Sequence, residues 1–177
     1  AGVSAEDGGH VQVRDLRITH SNAGVAVLGE SSAEVADTQV EDTSEAALLV
    51  VNGGAARASG LEIVRPWSKG VVVTRPGSAL TLSSSTISDA EDAAVQATAG
   101  GSFTGSSLQI TNTELGLQFR DINTTASLTG VAVSGAEVHL LIEEGAQATV
   151  TQLSSVGGKS GVQVRGPGAR AAIRESS

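Results

Sequence analysis

A short apolar alternation returns every 22–24 residues along this chain, and no other feature limits the fold as strongly. It reads Val25-Ala26-Val27, Leu48-Leu49-Val50, Val71-Val72-Val73, Val95-Gln96-Ala97, Leu117-Gln118-Phe119, Leu140-Leu141-Ile142 and Val162-Gln163-Val164. A fixed period of this length belongs to a solenoid, in which each unit buries its apolar face only by stacking on its neighbours. The 177 residues read as one elongated domain, 1–177, with no linker or break in composition.

Each repeat divides into three period-two segments. The alternation comes first, and a Gly- or Pro-rich turn follows it, as at Asn52-Gly53-Gly54, Arg75-Pro76-Gly77-Ser78 and Gly166-Pro167-Gly168. These residues supply the dihedrals of a sharp bend. A second apolar pair follows (Val11/Val13, Ala33/Val35, Leu80/Leu82, Ala148/Val150), then a third (Leu16/Ile18, Leu61/Ile63, Leu108/Ile110, Val131/Val133). Equal spacing makes each segment pair in parallel with its copy in the next repeat, which predicts a parallel β-helix of seven to eight coils. At ~4.8 Å per coil, the six steps from Val25 to Val162 make a rod on the order of 30 Å long. A leucine-rich or helical repeat needs a helix in every unit, and no segment sustains a 3.6-residue pattern.

Composition narrows the partners. Aromatics are 2% of the chain, so the core is thin layers of Val, Leu, Ile and Ala. The net charge of −8 disfavours nucleic acid, whose affinity comes from neutralising phosphates, and it disfavours an anionic membrane surface. Cysteine is absent, which excludes disulfides and thiolate metal sites. No apolar run is long enough to cross a membrane as a helix. The lack of Met and the mid-repeat ends lead us to expect a mature or excised segment of something longer, or coils that stack end to end.

The segment Gly77-Ser-Ala-Leu-Thr-Leu-Ser-Ser-Ser-Thr-Ile87, then Ala94-Val-Gln-Ala97, and Gly116-Leu-Gln-Phe119 resemble the repeats of the pectate-lyase-like superfamily. The resemblance covers nearly the whole chain and implies a right-handed, single-stranded parallel β-helix. It implies a bacterial, extracellular or cell-surface setting. It does not choose among polysaccharide lyases, hydrolases and epimerases, tailspikes and non-catalytic surface proteins. A non-catalytic stalk, adhesion or binding segment is the leading expectation. A carbohydrate-active enzyme and a self-stacking fibre subunit are the alternatives.

In the enzymes of that superfamily the active site lies on the outer face of the first sheet. Here that face begins with an apolar stripe, Ala26, Leu49 and Val72 with Leu28 and Val51, which suits a covering segment or a protein partner more than a charged sugar. Further along, Gln96 and Gln118 are candidate glycan-binding residues. Asp92, Glu114 and Glu137 recur two residues before Ala94, Gly116 and His139, where successive strands open, so they stack about 5 Å apart. Such a column is a candidate Ca²⁺ site through its carboxylates. As a catalytic reading, the same three acids with Arg120 and His139 supply acid, base and cation. No Asp-Asp pair, Arg-x-Lys or Asp-Pro-His-Glu of the enzymatic relatives is present, which lowers that reading. Trp67 breaks the small, polar pattern of its turn, Arg65-Pro66-Trp67-Ser68-Lys69, and is the candidate for stacking on a sugar or anchoring a partner.

Overall fold

The computed structural model describes all residues 1–177 as a single parallel β-helix without any α-helix. The first sheet has eight strands stacked in chain order: Val3–Ala5, Ala23–Leu28, Ala46–Val51, Lys69–Thr74, Ala93–Thr98, Leu115–Arg120, Val138–Glu143 and Ser160–Arg165. The sequence alternation sets their register, because Val25 faces Leu48, Leu48 faces Val71, Val71 faces Val95, and the pairing continues through Leu117 and Leu140 to Val162. Every such partner is one repeat away, so the inward columns are continuous along the rod.

The other two segments of each coil differ from the expectation of separate strands. They are separate in the first three coils, as in Ser32–Ala36 and Gln39–Glu41. From Ala79 onward they fuse into ten-residue strands, Ala79–Ser88, Ser102–Thr111, Thr125–Ser134 and Gln147–Val156. Each fused strand still turns a corner, at Ser84, Ser107, Gly130 and Gln152, where φ lies between 48° and 63°. The same corner in earlier coils is held by Asp15, Asp37 and Gly60. A second left-handed corner precedes the first sheet at His20, Asp42, Arg65, Asp89, Asn112 and Gly135. Gly tolerates this region because it has no Cβ to clash with the following carbonyl, and Asp and Asn because their short polar side chains hydrogen-bond locally.

Thirty-eight buried apolar residues form one contiguous core from Val13 to Leu153. Its two phenylalanines, Phe103 and Phe119, come from successive coils and stack with ring centroids 6.0 Å apart. Hydroxyls satisfy the turns between layers. Ser31, Ser78 and Thr124 each accept a backbone N–H from the preceding coil, from Gly8, Gly53 and Gly100 respectively.

Candidate functional site

The outer face of the first sheet is where the sequence placed most candidates, and its side chains are bonded to each other from coil to coil. Gln96 donates from Nε2 to Gln118 Oε1 at 2.6 Å, and Gln118 donates to Glu143 Oε2 at 3.1 Å. Glu143 in turn accepts from Arg165 Nε at 2.6 Å. The two glutamines proposed to bind glycan therefore spend an amide group on this chain of bonds. The apolar stripe lies on one ladder as expected, Ala26 beside Leu49 and Leu49 beside Val72. It is not an open patch, however. Ala26 is buried, and Leu49, Val72, Leu28 and Val51 are only partly exposed, because side chains one coil apart shield each other.

The acidic column stacks as the spacing requires. Asp92 N donates to Ser68 O, Glu137 N to Glu114 O and Lys159 N to Glu137 O. The carboxylates do not converge. Lys69 Nζ takes Asp92 at 2.7 Å and Lys159 Nζ takes Glu137 at 2.7 Å, so the only two lysines of the chain close the column at both ends. Glu114 is exposed between them. No group of three or more His, Asp or Glu side chains is placed to hold a metal ion, and the calcium expectation gains nothing from this geometry. Calcium at millimolar concentration is expected to give no binding heat with either the wild type or Glu114→Gln. Saturable heat in the wild type that Glu114→Gln abolishes would restore the site. The same substitution removes a like-charge neighbour and is expected to stabilise the fold by a few tenths of a kcal/mol at most, since pairs in water contribute ~0–1 kcal/mol.

Two residues of the catalytic reading, Arg120 and His139, stand apart from the acidic column. Arg120 closes the strand that Glu114 precedes, so about 20 Å of extended chain separates them. Its acidic contact is Asp121 at 3.8 Å. His139 is 0% exposed. It stands in a column that otherwise reads Gly24, Ala47, Gly70, Ala94, Gly116 and Gly161. Its ring enters the core, where Nδ1 hydrogen-bonds Ser155 Oγ. Ser155 itself replaces the aliphatic of the column Ile18, Val40, Ile63, Ile87, Ile110, Val133. Histidine and serine thus arrive together as a polar insertion in an apolar wall. Nε2 has no partner and points at Gly158, where a Cβ would lie 2.8 Å from it. A ring buried in this way does not reach the outer face.

Two features escaped the sequence reading. One is a groove of about 310 Å³ across the outer face of the second sheet, lined by His10, Glu34, Arg57 and Thr81 among others. The other is an ionic corner on the first three coils. Arg17 pairs with Glu41 at 3.1 Å, and Arg65 bridges Glu41 at 3.5 Å and Asp42 at 3.1 Å. Its hydrogen bond to Asp42 and the charge of that carboxylate raise the pKa of Arg65 above its ordinary value. Asp42 and Arg65 hold equivalent corners one coil apart, whereas Arg17 lies opposite Gln39 and Glu41 opposite Thr19, so only the Asp42–Arg65 pair was present as acid and base recurring in register. Trp67 lies beside this corner with 58% of its surface exposed, and its N–H donates to Thr43 O at 2.8 Å.

A pattern built from many such proteins, described as "Right handed beta helix region", matches residues 1–152. The chain belongs to the right-handed β-helix family. The match spans the coils up to the second segment of the Val138 coil, and it agrees with the stacked parallel ladders. Neither a curated protein nor a solved structure matches the chain.

Proposed function

We propose that this right-handed β-helix is a non-catalytic, extracellular binding segment, a stalk or adhesion module of a bacterial surface or secreted protein. The observation that supports it best is the bonded outer face of the first sheet. Gln96, Gln118, Glu143 and Arg165 are joined in sequence, while Asp92 and Glu137 are each held by a lysine. General acid–base chemistry needs a carboxyl within reach of a substrate proton and free to exchange it. A face whose polar groups link coil to coil stiffens a rod instead. A solenoid of this kind offers long, regular side-chain ladders on which a partner can be recognised at a distance from an anchor. The bacterial surface setting follows from the resemblance to the pectate-lyase-like superfamily.

Incubation with polygalacturonate, alginate and neutral glucans tests this reading. The expected result is no new reducing ends or unsaturated products above buffer, together with retention of the protein on one or more of the immobilised polymers. Turnover that disappears in Glu114→Gln would overturn it and restore the carbohydrate-active alternative.

A further inference from the structure

Beside the ionic corner lies an open cleft of about 170 Å³, lined by His20, Ser21, Asn22, Asp42, Ser44 and Trp67. These six residues come from three successive coils, so the repeat itself assembles the cleft. We propose that this corner binds one neutral hexopyranose ring, as a terminal or internal residue of a glycan. The proposal deepens the binding role inferred above by naming a site and a ligand class.

Size, polarity and charge each bear on the choice. The volume is below the ~300–1,000 Å³ of ordinary small-molecule pockets, which fits a single ring and not an extended ligand. A pyranose ring has an apolar C–H face and a rim of hydroxyls. Trp67, the only tryptophan and the most exposed aromatic, supplies a flat apolar wall for the face. The rim meets complementary groups. Asn22 accepts from Ser44 Oγ at 3.2 Å through its Oδ1, which leaves its amide N–H groups to donate. Asp42 offers carboxylate oxygens as acceptors, held in place by Arg65 Nε at 3.1 Å. Ser21 lines the same cleft, with its Oγ buried beneath the surface.

Charge separates neutral sugars from the competing ligands. A uronate finds no lysine or arginine in the lining to pair with, and meets a net charge of −8. A cationic ligand finds the Asp42 carboxylate already paired with Arg65 and 3.8 Å from His20 Nε2. A nucleobase could stack on Trp67, but its phosphates would be repelled. A neutral ring loses least on entering.

Because Trp67 is the only tryptophan, its emission reports this corner alone. The titration uses methyl glycosides of glucose, galactose and mannose, with methyl galacturonate as sodium salt and choline as controls. The expected result is a saturable change in emission with one or more of the neutral glycosides in the millimolar range, and none with the controls. Calorimetry with the responding glycoside should show binding weakened several-fold in Asn22→Ala and lost in Trp67→Ala, with Trp67→Phe retaining part of it. Both N22A and W67F are surface changes and should keep the wild-type melting temperature. No saturable response to any neutral glycoside, binding that survives W67A, or a preference for the uronate or choline would each overturn the proposal. Cleavage of a polysaccharide would defeat the non-catalytic reading while leaving this titration unaffected, so the two can fail separately.

Discussion

Gly116→Ala is expected to lower the melting temperature by about 5–10 °C, although it adds one methyl group. A Cβ at Gly116 would lie 2.5 Å from the carbonyl oxygen of His139 and 2.8 Å from Val133 Cγ1. Real Cβ atoms do not come so close to backbone, and the carbonyl belongs to a strand paired on both sides. The coil must move, at about 2–3 kcal/mol, the scale of overpacking in a tight core. The same clash recurs at Gly24 against Ala47 O and at Gly70 against Ala94 O, each at 2.5 Å. The column therefore alternates Gly24, Ala47, Gly70, Ala94, Gly116, His139, Gly161, with side chains admitted only at every second coil. Ala94→Gly is the control. It removes a methyl where one fits, and it should cost only about 0.5–1 kcal/mol. Thermal unfolding followed by circular dichroism checks both. Equal losses at the two positions would show that the alternation is not steric.

That alternation also shows where sequence reasoning succeeds and where it stops. The coil, its three segments and the parallel register are legible because all rest on inward positions at one period. Val25 and Leu48 repeat as Val71 and Val95, and the ladder pairs them as written. Stacking also placed Asp92, Glu114 and Glu137 on successive coils. The partners of those acids were not legible. Lys69 lies one place off the column that Asp92 continues, and period counting assigns it to the strand, not to the acid it neutralises. Nor could a linear pattern show that Gln118 and Leu141 are shielded on the outer face, the latter to 2% exposure. Shielding there depends on the side chains of the coils above and below. His139 is the instructive case. Its break of the Gly/Ala column and the Ser155 break of the Ile/Val column are both visible in the sequence. Only the fold shows that the two breaks face each other across the core.

A second such compensation sits at the phenylalanine stack and leads to the largest expected effect. The inward pair of the second segment reads Leu80/Leu82 in one coil, Phe103/Gly105 in the next and Ala126/Leu128 in the one after. Phe103 has taken the space that a leucine at 105 would fill. A Cβ on Gly105 would lie 2.8 Å from Phe103 Cε1 and 2.9 Å from Leu108 Cδ1. Phe103→Ala empties this layer and removes the stack on Phe119, and should cost about 3–5 kcal/mol. Gly105→Leu alone forces a side chain against the ring and should cost about 1–3 kcal/mol. The double variant F103A/G105L gives the coil the pair Ala and Leu, the arrangement that Ala126 and Leu128 hold next to it. It should therefore be more stable than F103A, with a favourable coupling of at least about 1 kcal/mol between positions in contact. Urea denaturation of the four proteins closes the cycle. Single losses that add to within ~0.5 kcal/mol would mean the two positions do not share one space. Favourable coupling would show that the solenoid keeps the volume of each layer while leaving open which strand position supplies it. That freedom explains how repeats with such different inward residues hold a common step along the rod.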